Sequence, residues 1–72
     1  MLNSNECYVL RKGNEYLVGC PYDDTAFARF SISPYDGYPF KEFMAAWSLA
    51  RRINGIVVKH NRTTGKIEGG WK

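Results

Sequence analysis

The stretch CYVLRKGNEYLVGC, Cys7 to Cys20, decides the fold. Two runs rich in Val, Leu and Tyr, Cys7–Lys12 and Glu15–Cys20, flank Gly13-Asn14, a two-residue turn suited to positive φ. The spacing predicts an antiparallel hairpin whose partners have residue numbers summing to 27. Leu10 then faces Leu17, Val9 faces Val18 and Cys7 faces Cys20. Side chains alternate, so Tyr8, Leu10 and Leu17 share one face while Cys7, Val9, Tyr16, Val18 and Cys20 share the other. Both faces are apolar. Counted outward from the turn, Cys7–Cys20 is a non-hydrogen-bonded pair, where side chains approach most closely. A cross-strand disulfide is geometrically feasible there, and two reduced thiols are expected in a cytosolic protein.

Outward from the hairpin, Cys20-Pro21-Tyr22-Asp23-Asp24 reads as a loop, because Pro21 cannot donate to a ladder. Thr25–Ile32 alternates Ala26, Ala28, Phe30 and Ile32 with Phe27, Arg29 and Ser31, as a strand with one apolar face does. Ser33-Pro34 ends it, and Tyr35-Asp36-Gly37 is a turn. A helix is predicted from Pro39, suited to a first helical position, to Ile53. Phe43, Ala46, Trp47, Ala50 and Ile53 fall on one face of it, with Lys41, Ala45, Ser48 and Arg52 opposite. Asn54-Gly55 stops the helix, one of the two taking the left-handed conformation. Gly55–Asn61 is a further strand, Asn61–Gly65 a turn cluster and Lys66–Glu68 a short returning strand. Residues 1–5 and 69–72 are expected to fray.

The fold class is therefore α+β: one domain over residues 1–72, a small, mostly antiparallel sheet with one helix on one face, in the order β-β-β-α-β with a short final strand. One helix covers one face. The second must stay exposed, be covered by the tail or the 33–39 loop, or bind another molecule.

Seventy-two residues bury a small core. Eleven Phe, Trp and Tyr residues must fill that core or form a binding surface. Net charge is +3, unevenly spread. Residues 1–40 carry three cations against five acids, and residues 41–72 carry seven against two. The N-terminus has neither a charged region nor the apolar run of a signal peptide, and no stretch approaches a membrane span. The expected location is cytoplasmic, with no membrane partner, and the sequon Asn61-Arg62-Thr63 then has no role.

The order CYVLRKGNEYLVG, AFARF, AAWSLARRINGIVVK resembles a module of short orphan proteins from Gram-positive bacteria and their phages. That module has a YVI-K…YL hairpin, an alanine-x-phenylalanine near the third strand, a helix with alanines four apart and a GG-x-VV strand. Tyr8, Val9, Leu10, Tyr16, Leu17, Ala28, Phe30, Ala46, Ala50, Asn54, Gly55, Val57 and Val58 match it, across about residues 7–59. These are core and turn positions. The resemblance implies a fold and a phage or prophage setting, and brings no catalytic residue. The chain departs from the module in having Asn54 for the first glycine and a longer aromatic insertion at 33–39.

Catalytic and metal chemistry is not expected. His60 is the single histidine and has no acid beside it. Cys7, Cys20 and His60 lack the paired short spacings of a zinc site, and Asp23-Asp24 reads as turn and capping chemistry. No glycine-rich phosphate loop is present, so no cofactor is expected. Protein binding or homodimerisation remains, with an unidentified host or phage partner. The expected contact residues are Tyr35, Tyr38, Tyr22 and Tyr16, aromatics of the type enriched in hot spots. The alternative is weak electrostatic nucleic-acid binding through Arg51, Arg52, Lys59, Arg62 and Lys66.

Overall fold

The computed structural model describes residues 2–19 and 29–72. Cys20, the loop with Tyr22 and Asp23-Asp24, and the Thr25–Ala28 part of the expected third strand lie outside the described residues. Five strands, β1 (Glu6–Lys12), β2 (Glu15–Val18), β3 (Arg29–Ser31), β4 (Ile56–Asn61) and β5 (Ile67–Trp71), and one helix, α1 (Phe43–Ile53), make an α+β fold. The sheet order is β3-β2-β1-β4-β5, and every pairing is antiparallel.

The hairpin has the expected register: Lys12 pairs with Glu15 and Arg11 with Tyr16. Gly13 takes φ +64 while Asn14 stays at negative φ, a sign pattern that matches a type II′ turn and the strand twist. The pairing then stops. Tyr8 and Phe40 exchange both backbone hydrogen bonds, each 2.8 Å, and the Tyr38 N–H donates to the Leu17 carbonyl at 2.9 Å. Residues 38–40 thus fill a cleft between β1 and the far half of β2. The expected Leu10–Leu17 and Val9–Val18 partnerships are replaced by this wedge.

The wedge also moves the helix start. Phe40 is held in extended backbone against Tyr8, so α1 begins at Phe43 with Glu42 as N-cap, rather than at Pro39. Ala46, Leu49, Ala50 and Ile53 are its buried face, with Phe43, Ala45 and Trp47 half-buried beside them. They pack on Leu10, Leu17, Phe40 and Val57. The helix ends as expected. Asn54 sits in the left-handed region at φ 63, its N–H bonding to Ala50 and Arg51 carbonyls. The Gly55 N–H reaches the Ala50 carbonyl at 2.8 Å, which completes a Schellman motif. Gly55 then passes so close to β1 that a Cβ there would lie 2.8 Å from the Arg11 carbonyl oxygen.

Two further expectations give way. Ile32, assigned to an apolar strand face, is 77% exposed, because β3 ends at Ser31 and Ser33 already belongs to the next turn. The 69–71 segment is not frayed: β5 runs to Trp71, which pairs with Val57. A one-residue bulge lies within β5, since His60↔Ile67 and Lys59↔Glu68 keep one register and Val57↔Trp71 the next. Such a slip turns the following side chains to the other face. Ile67 therefore packs on the second face, and Trp71 turns to the helix face. No helix among the described residues is long and apolar enough to cross a membrane.

Candidate functional site

The second sheet face carries Cys7, Val9, Tyr16 and Val58, with Ile56 and Ile67 half-buried at its margin. Its cover is the 33–37 segment, whose core is a 3-10 turn at Pro34–Asp36. Pro34 suits that turn through its fixed φ, and the Ser31 hydroxyl donates to the Asp36 carboxylate at 2.8 Å. Gly37 lies on Val9, where a Cβ would meet its Cγ1 at 3.1 Å. The Tyr35 and His60 rings are nearly perpendicular, centroids 4.6 Å apart.

Arg62 anchors this cover. Its Nη1 donates to the Pro34 and Tyr35 carbonyls at 3.1 and 2.8 Å, and its Nη2 to the Gly37 carbonyl at 2.9 Å. A planar guanidinium can hold three carbonyls in fixed directions, which an ammonium cannot. Asn61 positions Arg62 by closing its own turn, its Oδ1 accepting from the Thr63 and Thr64 N–H groups.

His60 lies beneath, 0% exposed, and neither ring nitrogen has a partner among the described residues. Burial and the Arg62 cation both lower its pKa from 6.5, because each disfavours the charged imidazolium. Cys7 is its direct neighbour across β1 and β4 and is a free, buried thiol.

Of the four expected contact tyrosines, the structure leaves Tyr35 at the surface, 52% exposed. Tyr38 packs against the helix-side core, its ring 4.9 Å from Phe40. Tyr16 is buried beneath Arg11, whose guanidinium lies 5.9 Å from its ring. Tyr22 is outside the described residues. The segment crosses from one sheet face to the other, so its two tyrosines are separated: Tyr35 covers the second face and Tyr38 the first.

The basic residues are also dispersed. Lys59 sits between Glu6 at 3.6 Å and Glu68 at 3.1 Å, and Lys66 bridges Glu68 at 3.0 Å. Hydrogen bonds from the two lysines hold the Glu68 carboxyl below its ordinary range, and Glu68 raises Lys59 in turn. Arg62 is committed to the turn. Arg51 lies over the Trp47 ring at 4.8 Å, beside an open groove lined by Arg51, Asn54, Gly55, Ile56 and Lys72. Arg52 is exposed on α1 and has an interaction of its own.

Sequence reasoning missed an aromatic cluster that reaches the surface. Tyr8, Phe43 and Trp71 form a ring-edge cluster with centroid distances of 5.4, 6.2 and 5.6 Å. Trp71 is its outermost member, 41% exposed, and the Trp47 Nε1–H donates to the Lys72 carbonyl at 2.9 Å, fixing the end of β5 over the helix. The short returning strand at Lys66–Glu68 is legible in the sequence; the bulge that turns Trp71 toward Tyr8 is not. Among the described residues no three His, Cys, Asp or Glu side chains stand together as a metal site. No family model, curated protein or solved structure matches the chain.

Proposed function

We infer that this chain is a non-enzymatic accessory protein that acts by binding a protein partner or a second copy of itself. The observation that carries this reading is the half-exposed Trp71, seated on Tyr8 and Phe43 at the edge of the sheet. A rigid aromatic anchor backed by other rings loses little side-chain entropy on contact, which is the character of an interface hot spot. Strand addition at this edge is disfavoured, because the bulge with Gly69 at φ +80 and Gly70 at φ +148 breaks the flat ladder an added strand needs. The contact would then be made by side chains.

Burial of His60 favours a non-catalytic role, since the one histidine has no open path to a substrate. The nucleic-acid alternative loses support from the ion pairs of Lys59 and Lys66 and the commitment of Arg62. The phage or prophage setting rests on the sequence resemblance alone.

The test compares the wild-type protein with Trp71→Ala and, as a control, Thr63→Ala. Sedimentation at two concentrations reads self-association, and affinity capture from host lysate reads a partner. Loss of either association in Trp71→Ala alone supports the reading. An association that all three proteins retain equally sinks this surface as the contact.

A further inference from the structure

We propose that the 33–37 segment is an acid-released lid: protonation of His60 detaches it from the second sheet face and uncovers Cys7. Three elements pack around the imidazole. Tyr35 faces it from the 3-10 turn, Cys7 from β1 and Ile67 from β5. Arg62 is the charge that acts on it, two residues further along the chain. The nearest acid of the lid, Asp36, is exposed and engaged by the Ser31 hydroxyl. None of these neighbours gives a positive ring a hydrogen-bond acceptor or an ion-pair partner, and the Tyr35 ring alone does not replace its hydration. A proton on His60 must therefore be hydrated, and water can reach it only if something moves.

What moves is decided by how each neighbour is held. The backbone of β4 is paired on both sides, with β1 and with β5. The lid has no strand partner between Ser33 and Gly37. Its attachments are the Tyr35 ring, whose hydroxyl lies over Gly65, the fit of Gly37 on Val9, the Ser31–Asp36 hydrogen bond and the three hydrogen bonds from Arg62. An imidazolium opposes the last of these directly, because it repels the guanidinium that holds the lid's carbonyls. Opening the lid hydrates the ring and relieves that repulsion in one movement, without breaking a strand pair. Cys7 is the cross-strand neighbour of His60 and is likewise buried, so water admitted to the ring reaches the thiol beside it, which serves as the reporter.

The sign follows from linkage. A group whose pKa is lowered in the closed state binds fewer protons there than in the open state, so falling pH favours opening. Above pH 6.5, the ordinary value, the ring is neutral in both states and the lid is indifferent to pH. Below it, each pH unit favours the open lid by up to about tenfold, until the closed-state ring itself titrates.

The experiment uses the full chain carrying Cys20→Ser, so that Cys7 is the one thiol. Its rate of reaction with 4,4′-dithiodipyridine is measured from pH 7.5 to 5 and divided into the rate of free cysteine at the same pH. The thiolate attacks the probe disulfide, forms a mixed disulfide and expels thiopyridone, so the ratio cancels thiol ionisation to first order. The expected protection of Cys7 is flat down to pH 6.5 and then falls, by up to about tenfold per unit, with far-UV dichroism unchanged. In His60→Leu the fall disappears. A flat profile in the parent, the same fall in His60→Leu, or a fall that coincides with loss of dichroism overturns the proposal. Should His60→Leu fail to fold, the His60 ring is titrated by NMR in the parent and in Tyr35→Ala. The expected parent value lies below 6.5 and rises toward it when Tyr35 is removed; a parent ring titrating at or above 6.5 overturns the lid.

Discussion

Phe40 takes the place of a strand beside Tyr8, exchanging two backbone hydrogen bonds of 2.8 Å with it. Its ring is buried in the helix-side core, against Tyr38. One residue thus closes the hairpin cleft with its backbone and fills the core with its side chain. Phe40→Ala keeps the backbone bonds and leaves a cavity, so an expected loss of about 3–5 kcal/mol follows. For a domain this small that is most of its stability. Urea unfolding measures it; a loss below about 1 kcal/mol would show that the wedge does not carry the core.

Arg62 joins the chain after β4 to the carbonyls of Pro34, Tyr35 and Gly37. Arg62→Lys retains the charge and loses the fork. The expected cost is about 1–3 kcal/mol in urea unfolding, since partly buried carbonyls are left without donors. Arg62→Ala should cost no less. Equal stability of the wild type and Arg62→Lys would mean that charge rather than geometry holds the segment.

The bulge in β5 depends on Gly69. It sits at φ +80 beneath the Trp71 indole, where a Cβ has no room. Gly69→Ala should strain the backbone and displace the indole into water, at a cost of about 1–3 kcal/mol. The displacement is read as a red shift of tryptophan emission against a Trp47→Phe background, so that Trp71 alone reports. An unshifted spectrum in a folded variant would show that the ring's seat does not depend on Gly69.

Lys59 and Lys66 share Glu68, and Arg62 is spent on backbone carbonyls. Arg51 lies over the Trp47 ring and Arg52 has an interaction of its own, so the cations expected to follow a phosphate backbone are engaged within the protein. Binding to a random DNA or RNA duplex should be undetectable at about 50 mM salt, as measured by fluorescence anisotropy. Affinity that falls steeply as salt is raised would restore the electrostatic reading.

Local features could be read from sequence because their causes are local. Gly13-Asn14 between two apolar runs set the hairpin register, and Lys12 and Glu15 close it. The spacing of Ala46, Ala50 and Ile53 located the helix face, and Asn54-Gly55 ended it with a left-handed residue. The apolar character of both hairpin faces showed that the second face needed cover, and the 33–39 insertion was one candidate for it. In each case the residues that determine the outcome lie within a few positions of one another, where steric limits on φ and ψ or a side-chain period decide.

Tertiary structure decided the rest. Pro39 and Phe40 have helical credentials, yet they extend, because the Tyr8 and Leu17 backbones offer hydrogen bonds that a cleft between diverging strands would otherwise leave unmade. Tyr35 and Tyr38 are three residues apart and end on opposite sheet faces, because the chain passes between β1 and β2 at Gly37. Trp71 faces the helix rather than His60 because of one unpaired residue in β5. These outcomes depend on which strand edge lies beside each segment in the folded protein, and periodicity along a chain carries no information about which edge is free to receive it.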